Sequence, residues 1–200
     1  MRGRYKGWTP SYIDAHPSFS PRSIDPSDPF YEGRLVLEIG SGKGGFLVKT
    51  AALHPEIHFL GLERDVSSCG SAVKKAVEAE LPNIRISNLD FDEAYEALKN
   101  LSFEEIHVHF PDPWPKRRHA KRRLVYPERL KKILSLLAPG GRLEFRTDND
   151  DLYAYFLESY PLAGGRLVEE PYPPEEAMGE YEERFRSEGM AIHRAYLERM

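Results

Sequence analysis

The chain of 200 residues carries 28 Lys and Arg against 32 Asp and Glu, a net charge of −4, with 40% hydrophobic and 12% aromatic residues and one cysteine. This composition fits one self-folding domain and excludes a disordered chain, a disulfide framework and a zinc site built from cysteines. No apolar run approaches the ~20 residues of a membrane span and no signal-peptide core follows the charged start, so a soluble, cytoplasmic protein is expected.

Charge is segregated along the chain. Eight Glu fall between Glu169 and Glu188, whereas basic residues gather between Lys116 and Arg123 and at Arg2, Arg4 and Lys6. Binding responds to local potential, so the negative total does not exclude a nucleic acid.

The first 33 residues hold five prolines and no periodicity, which predicts an irregular, partly basic arm that orders only on a partner. Residues 34–200 are expected to form the functional domain. Short apolar runs at Arg34–Ile39, Ile57–Leu62, Ile84–Ile86, Ile106–Phe110 and Gly141–Thr147 read as strands. Between them, Gly44–Leu53, Ser67–Leu81, Asp92–Leu98 and Pro127–Leu137 carry helical spacing, with Ser67 and Pro127 as starters. Alternating strand and helix predicts an α/β fold with a mostly parallel central sheet flanked by helices, Rossmann-like in its right-handed crossovers. Sites in such sheets lie at the carboxyl ends of the strands, and the unusual residues of this chain fall at those ends.

After the first strand comes Glu38-Ile-Gly40-Ser-Gly42-Lys-Gly44-Gly45. Its glycines allow a ligand close to the backbone, but Gly40, Gly42 and Gly45 also fit a dinucleotide pattern. Glu38 separates the two readings: beside a diphosphate its carboxylate is repulsive, whereas beside a sulfonium ligand with an α-amino group it is favourable. Glu63, after the second strand, suits the ribose hydroxyls of S-adenosylmethionine and NAD alike. Asp90, after the third, could accept from an adenine amine or be a plain loop carboxylate.

The fourth strand runs into Phe110-Pro-Asp-Pro-Trp114-Pro115, where three prolines hold Asp112 with little freedom. Lys116-Arg-Arg-His-Ala-Lys-Arg-Arg123 follows, six cations in eight residues at the mouth of the expected cleft. If about four phosphates were neutralised there, log K against log salt would have a slope of roughly −3. Asp148, after the fifth strand, offers a second carboxylate. Two carboxylates suit guanine, whose N1–H and exocyclic amine are donors. They also suit attack by N7 on a sulfonium methyl, which creates a cationic purine and needs no prior deprotonation, so Asp112 is assigned to positioning and electrostatic stabilisation. The alternatives are an RNA-binding module with a degenerate pocket, an NAD-dependent oxidoreductase that leaves the Asp112 segment unexplained, and a metal enzyme. For the last, His107 and His109 share a strand face without an evident third ligand, and packing or cleft residues are the preferred reading; no metal is expected.

From about Leu35 to the C-terminus the chain resembles the bacterial tRNA (guanine-N7)-methyltransferases. The likeness rests on Leu37-Glu-Ile-Gly40, Gly61-Leu-Glu63, Phe110-Pro-Asp-Pro-Trp114 with Lys116, His119 and Lys121-Arg-Arg123, Thr147-Asp148, and Tyr181-Glu-x-Arg184-Phe185 with Gly189. It implies a class I methyltransferase fold over residues 34–200, S-adenosyl-L-methionine as donor, and 7-methylguanosine at position 46 of the tRNA variable loop as product. By the resemblance, donor contacts fall on Glu38, Glu63, Asp90 and Asp112, with Gly40 and Gly42 in the loop. Substrate contacts fall on Lys116, Asp148, Gly179, Glu180, Tyr181 and Glu182, and RNA contacts on Arg118, His119, Lys121, Arg122 and Arg123. Gly179 departs from the family, which usually has Thr there. A tRNA partner and no membrane are expected, as a monomer or homodimer with no obligatory protein partner.

Overall fold

Every residue of Leu35–Ile39 (β1) is buried, so this strand must be covered on both faces. The computed structural model describes residues 6–169 and 178–200, with Glu180 and Tyr181 described through their backbone only. The predicted arm contains a helix, α1 (Thr9–Ala15), and a 3-10 turn at Pro29–Tyr31. Beyond β1 come α2 (Gly45–Leu53), β2 (His58–Leu62), α3 (Val66–Glu78), β3 (Ile84–Ser87), α4 (Phe91–Leu98) and β4 (Phe103–His109). A 3-10 turn at Arg117–Arg122 leads to α5 (Pro127–Ser135), β5 (Leu137–Thr147), α6 (Asp150–Leu162), β6 (Gly165–Val168), α7 (Glu180–Ser187) and β7 (His193–Arg199).

The strands form one sheet in the order β3-β2-β1-β4-β5-β7-β6. The first five run parallel, and β7 enters antiparallel between β5 and β6. The chain moves outward from β1 to β3 and then returns to β4 on the other side of β1. The strand order therefore reverses between β1 and β4, the place where such sheets open a ligand crevice. The expected parallel α/β architecture is present, and among the described residues two strands and three helices join those read from the sequence.

Alternation along β1 divides the core. Val36 packs with Phe59, Ile84, Ala72, Val73 and Ala76 under α2 and α3, while Leu35 and Leu37 face Phe91, Leu130, Ile133 and Phe156 of α4, α5 and α6. Cys69 of α3 is fully buried in the first of these layers, where burial foremost, then the nearby Glu63 carboxylate, pushes its thiol up to about 12. Among the described residues, no helix is long and apolar enough to cross a membrane.

From residue 6 the arm is mostly turns and bends around one short helix, and its described part packs against the rest of the chain. Thr9 is fully buried where α1 crosses α3, Ser20 Oγ donates to the Ile86 carbonyl, and Ile24 and Tyr31 enter the core. Asp28 receives both amino groups of Arg85 at 2.8 and 3.1 Å, which holds its carboxyl below the usual range. A seven-residue helix without a side-chain cap has little intrinsic stability, so packing supplies the order that no local pattern announced.

The crossing depends on Gly70, because a Cβ there would lie 2.4 Å from Thr9 Cβ and 3.1 Å from its Cα. Alanine in a helix is otherwise favoured over glycine by about 1 kcal/mol. Gly70→Ala is therefore expected to lower Tm and speed proteolysis within residues 6–20 of the intact chain, yet to raise Tm in a chain begun after His16. A higher Tm in the intact chain would show that α1 does not depend on this contact.

Candidate active site

The reversal between β1 and β4 opens above the glycine loop. Gly40, Gly42 and Gly44 all have positive φ, from 56° to 81°, and a Cβ at Gly40 or Gly42 would meet nothing within 4 Å. These two glycines thus satisfy the backbone while leaving room above it. The loop is pinned to β2, since the amides of Gly40 and Ser41 both donate to the Leu62 carbonyl at 2.8 and 2.9 Å. Glu63 carries the pinning further, accepting from Gly42 N at 2.8 Å and Asp65 N at 2.7 Å, one on each oxygen. Burial raises its pKa, opposed by those two amide bonds. A carboxylate oxygen has a second lone pair, so both can still accept a hydroxyl.

Glu38 is 3% exposed. Its Oε1 lies 3.6 Å from His109 Nδ1, and its Oε2 is buried without a hydrogen-bond partner among the described residues, as is Ser41 Oγ. Buried polar atoms are rarely left unsatisfied in a native fold. An orphaned carboxylate oxygen beside an open glycine loop fits a cationic, hydrogen-bonding ligand such as an α-amino group. The residues present therefore fit a donor with an amino-acid end and a ribose.

Asp90 caps a helix where it was expected to meet the donor. Its Oδ1 accepts from Glu93 N at 2.9 Å while Glu93 Oε2 accepts from Asp90 N at 2.9 Å, a capping box at the start of α4. One oxygen is thus committed to the helix, at the end of the strand after which the residue was expected to act.

The Asp112 segment departs from β4 under strain. Phe110 and Trp114 take φ of 48° and 42°, a region costly for bulky side chains and concentrated at functional sites. Asp112 itself is well exposed and accepts from Arg64 at 2.7 Å. Because β2 and β4 flank β1, this pair spans the mouth of the crevice. Arg64 is a residue that sequence reasoning passed over, although it directly follows Glu63. Asp148 follows β5, next to β4, where Phe110 N donates to Arg146 O at 2.8 Å, so the two expected carboxylates stand on adjacent strand ends.

The basic run folds as a 3-10 turn whose Lys116, Arg117, Arg118, Lys121 and Arg122 are exposed and whose His119 is half-buried. Trp114 sits against it, with Arg122 5.0 Å from its ring and His119 edge-on at 5.7 Å. Arg123, expected to contact RNA, is largely buried. It donates to the carbonyls of Pro113 and Trp114 at 2.9 and 3.1 Å and lies 4.2 Å over Tyr155. These contacts clamp the strained segment.

Glu182, expected to touch substrate, is paired within the chain. It is 1% exposed and accepts from Arg146 at 2.5 Å, Arg186 at 3.0 Å and Arg194 at 3.3 Å, which fastens α7 to β5 and β7. Gly179 precedes this helix beside the glycine loop, where a Cβ would meet Phe46 Cβ at an ordinary 3.6 Å. The side chains of Glu180 and Tyr181 lie outside the described residues, as do Arg2 and Arg4.

Arg146 belongs to a buried polar face that the sequence reading did not assemble. The register sets Glu38 opposite His107, His107 opposite Glu144, and Glu144 opposite Tyr196. Glu144 accepts from His107 at 2.9 Å, His109 at 3.1 Å, Arg146 at 2.7 and 2.9 Å, and Tyr196 Oη at 2.8 Å, with Arg194 at 3.2 Å. Burial would raise its pKa, but His107 and His109 hold it well below the usual range. His107, His109 and Glu144 could present three ligand atoms within 4.8 Å of one another, so the third ligand that sequence reasoning lacked is there. Two guanidinium groups already on Glu144 oppose a cation, and the cluster reads as an ion-pair network.

Comparison with known proteins gives concordant results. A family model described as "Putative methyltransferase" matches residues 32–195. The tRNA (guanine-N(7)-)-methyltransferase of Lactococcus lactis subsp. cremoris is 37% identical over 168 residues, covering 80% of this chain and 77% of its own. That of Bacillus subtilis is 32% identical over 214 residues, covering 99% of each. Among solved structures, the aminoglycoside resistance methyltransferase NpmB1 superposes with a TM-score of 0.64 at 18% identity, covering 86% of this chain and 89% of its own. A 16S rRNA (adenine(1408)-N(1))-methyltransferase from Catenulisporales acidiphilia, solved with cosubstrate SAM, gives 0.62 at 16% identity, with 88% and 92% covered. These two likenesses establish the class I methyltransferase fold.

The buried face makes stability depend on pH. Burial alone would depress His107, but Glu105 at 3.2 Å and Glu144 at 2.9 Å outweigh it and carry its pKa from 6.5 to about 9. The folded chain therefore keeps a proton that the unfolded chain has shed. Its contribution is full below pH 6.5 and is lost as pH rises to about 9. Tm should fall across that window, and His107→Gln should flatten the fall; an unchanged slope in the variant would exclude His107 as its source.

Proposed function

The chain belongs to the family of tRNA (guanine-N7)-methyltransferases, and from that premise we propose that it transfers a methyl group from S-adenosyl-L-methionine to N7 of guanine 46 in the tRNA variable loop. The observation that carries the reading is the buried carboxylate of Glu38, its Oε2 unpartnered among the described residues, at one side of a crevice whose other side is an exposed cationic turn. When bound, the donor supplies an electrophilic methyl on a sulfonium centre.

The chain's own residues divide the remaining work. Glu38 accepts the donor's α-amino group, Glu63 accepts the ribose hydroxyls with the lone pairs left by Gly42 and Asp65, and Gly40 and Gly42 admit the donor close to the backbone. Asp90 has one oxygen in the helix cap, so its part is limited to the other. Lys116, Arg117, Arg118, Lys121 and Arg122 supply a local positive field for the phosphodiester backbone despite a net charge of −4. Trp114, stiffened between them, offers a stacking face.

Guanine N7 already carries a lone pair, so the protein need not remove a proton before transfer. Asp112 and Asp148, on adjacent strand ends, accept from N1–H and the exocyclic amine and stabilise the cationic purine as it forms. For Asp112 this requires guanine to replace or join Arg64, which occupies it at 2.7 Å. A cytoplasmic location agrees with a tRNA substrate.

The test is incubation with labelled donor and unmodified tRNA, followed by digestion to nucleosides and mapping of the label. The expected product is 7-methylguanosine at position 46, with Asp112→Ala reducing turnover by about a hundredfold or more while donor binding largely survives. Label in 1-methylguanosine, or at another guanine, would overturn the assignment; full turnover in the variant would remove Asp112 from the chemistry.

A further inference from the structure

His109 is 7% exposed at its side chain and is fixed on three sides. Nε2 lies 3.1 Å from Glu144 Oε2, the ring of Phe46 meets it edge-on at 4.6 Å, and His107 stands 5.2 Å away. Its remaining nitrogen, Nδ1, points to Glu38 Oε1 at 3.6 Å, whereas Glu38 Oε2 has no partner among the described residues. Glu144, in turn, is immobilised by Arg146 and Tyr196, and Arg146 by Glu182 of α7.

A buried carboxylate with one free oxygen can turn about its side-chain torsions unless its other oxygen is tethered. We infer that His109 is a positioning residue for donor binding: it tethers Glu38 by Oε1 and thereby presents Oε2 to the amino group of the ligand. The inference rests on the proposed donor and adds to it a residue outside the crevice wall, held by the same ion pairs that fasten α7. His109 touches neither the methyl group nor guanine, so it acts on affinity for the amino-acid end alone. Adenine and ribose are gripped at the ends of other strands and do not feel the tether.

That separation gives a test independent of turnover. S-adenosylhomocysteine carries the α-amino group, whereas 5′-methylthioadenosine has the same nucleoside without the amino-acid end. Both are titrated calorimetrically into wild type, His109→Gln and His109→Asn. The amide of Gln reaches the place of Nε2 and keeps Glu144; that of Asn reaches the place of Nδ1 and keeps Glu38. His109→Gln should weaken S-adenosylhomocysteine about tenfold and leave methylthioadenosine unchanged, and His109→Asn should recover affinity to within about threefold of wild type. Equal weakening of both ligands, or none of either, would overturn the positioning role, as would a Gln variant that binds better than the Asn variant. Wild type that binds methylthioadenosine as tightly as S-adenosylhomocysteine would overturn the amino-group assignment of Glu38 itself, and wild type that binds neither would overturn the donor reading; both results differ from a failure confined to His109.

Discussion

A single buried carboxylate, Glu38 at the end of β1, sets the conditions for the rest of the site. It is 3% exposed and one of its oxygens has no partner among the described residues, an arrangement that costs folding free energy unless a ligand completes it. The glycine loop turns away above it and keeps the space open. The reversal of strand order between β1 and β4 places that space at the centre of the sheet. Fold and ligand are therefore linked: a buried oxygen that the described chain leaves unpartnered is one that the proposed donor satisfies.

From β1 the polarity continues sideways across the sheet. Glu38, His107, Glu144 and Tyr196 occupy successive register positions on β1, β4, β5 and β7, where the neighbouring half of the same face is apolar under α2 and α3. Such a face can be buried only if charges alternate, and they do, with His and Arg between Glu residues. The ion pairs extend to Glu182 and so bind α7 to the same lattice that orients Glu38. On the other side of the crevice Arg123 performs the matching task, fixing the strained Pro113 and Trp114 carbonyls so that Asp112 and the cationic turn stand at the mouth. Residues of one charged run thus divide into exposed cations and one cation buried against the fold.

Much of this was legible in the sequence because the signals were local. The apolar runs of β1 to β5, the glycine loop, Pro127 at the start of α5 and the Phe110–Trp114 segment each declare themselves within a few residues. Glu38 could be read because a carboxylate two residues before the first glycine is chemically informative by itself. What escaped depends on tertiary placement. Helix α1 is held by Gly70 and Thr9, residues 61 positions apart in the chain, and no periodicity reports that. Nothing in the run itself distinguishes Arg123 from Arg122. Glu182 belongs to a segment picked out by resemblance, which marks its position without saying whether it touches substrate or fold. Signals for two missed parts did exist: Asn149 followed by Asp150 and Asp151 is a helix start, realised as the cap of α6, and the alternation of Arg142, Glu144 and Arg146 with apolar neighbours marks a polar strand face.

If Glu38 is kept for a ligand at the expense of the fold, removing its charge must separate the two. The most direct measurement is the melting temperature of Glu38→Gln and wild type across a titration of S-adenosyl-L-methionine. The variant is expected to melt higher than wild type without ligand, and its ligand-induced shift to need at least about thirtyfold more donor, the scale of a lost buried charge pair. A variant that melts lower without ligand and responds to the donor like wild type would contradict that expectation, and would make Glu38 a structural carboxylate.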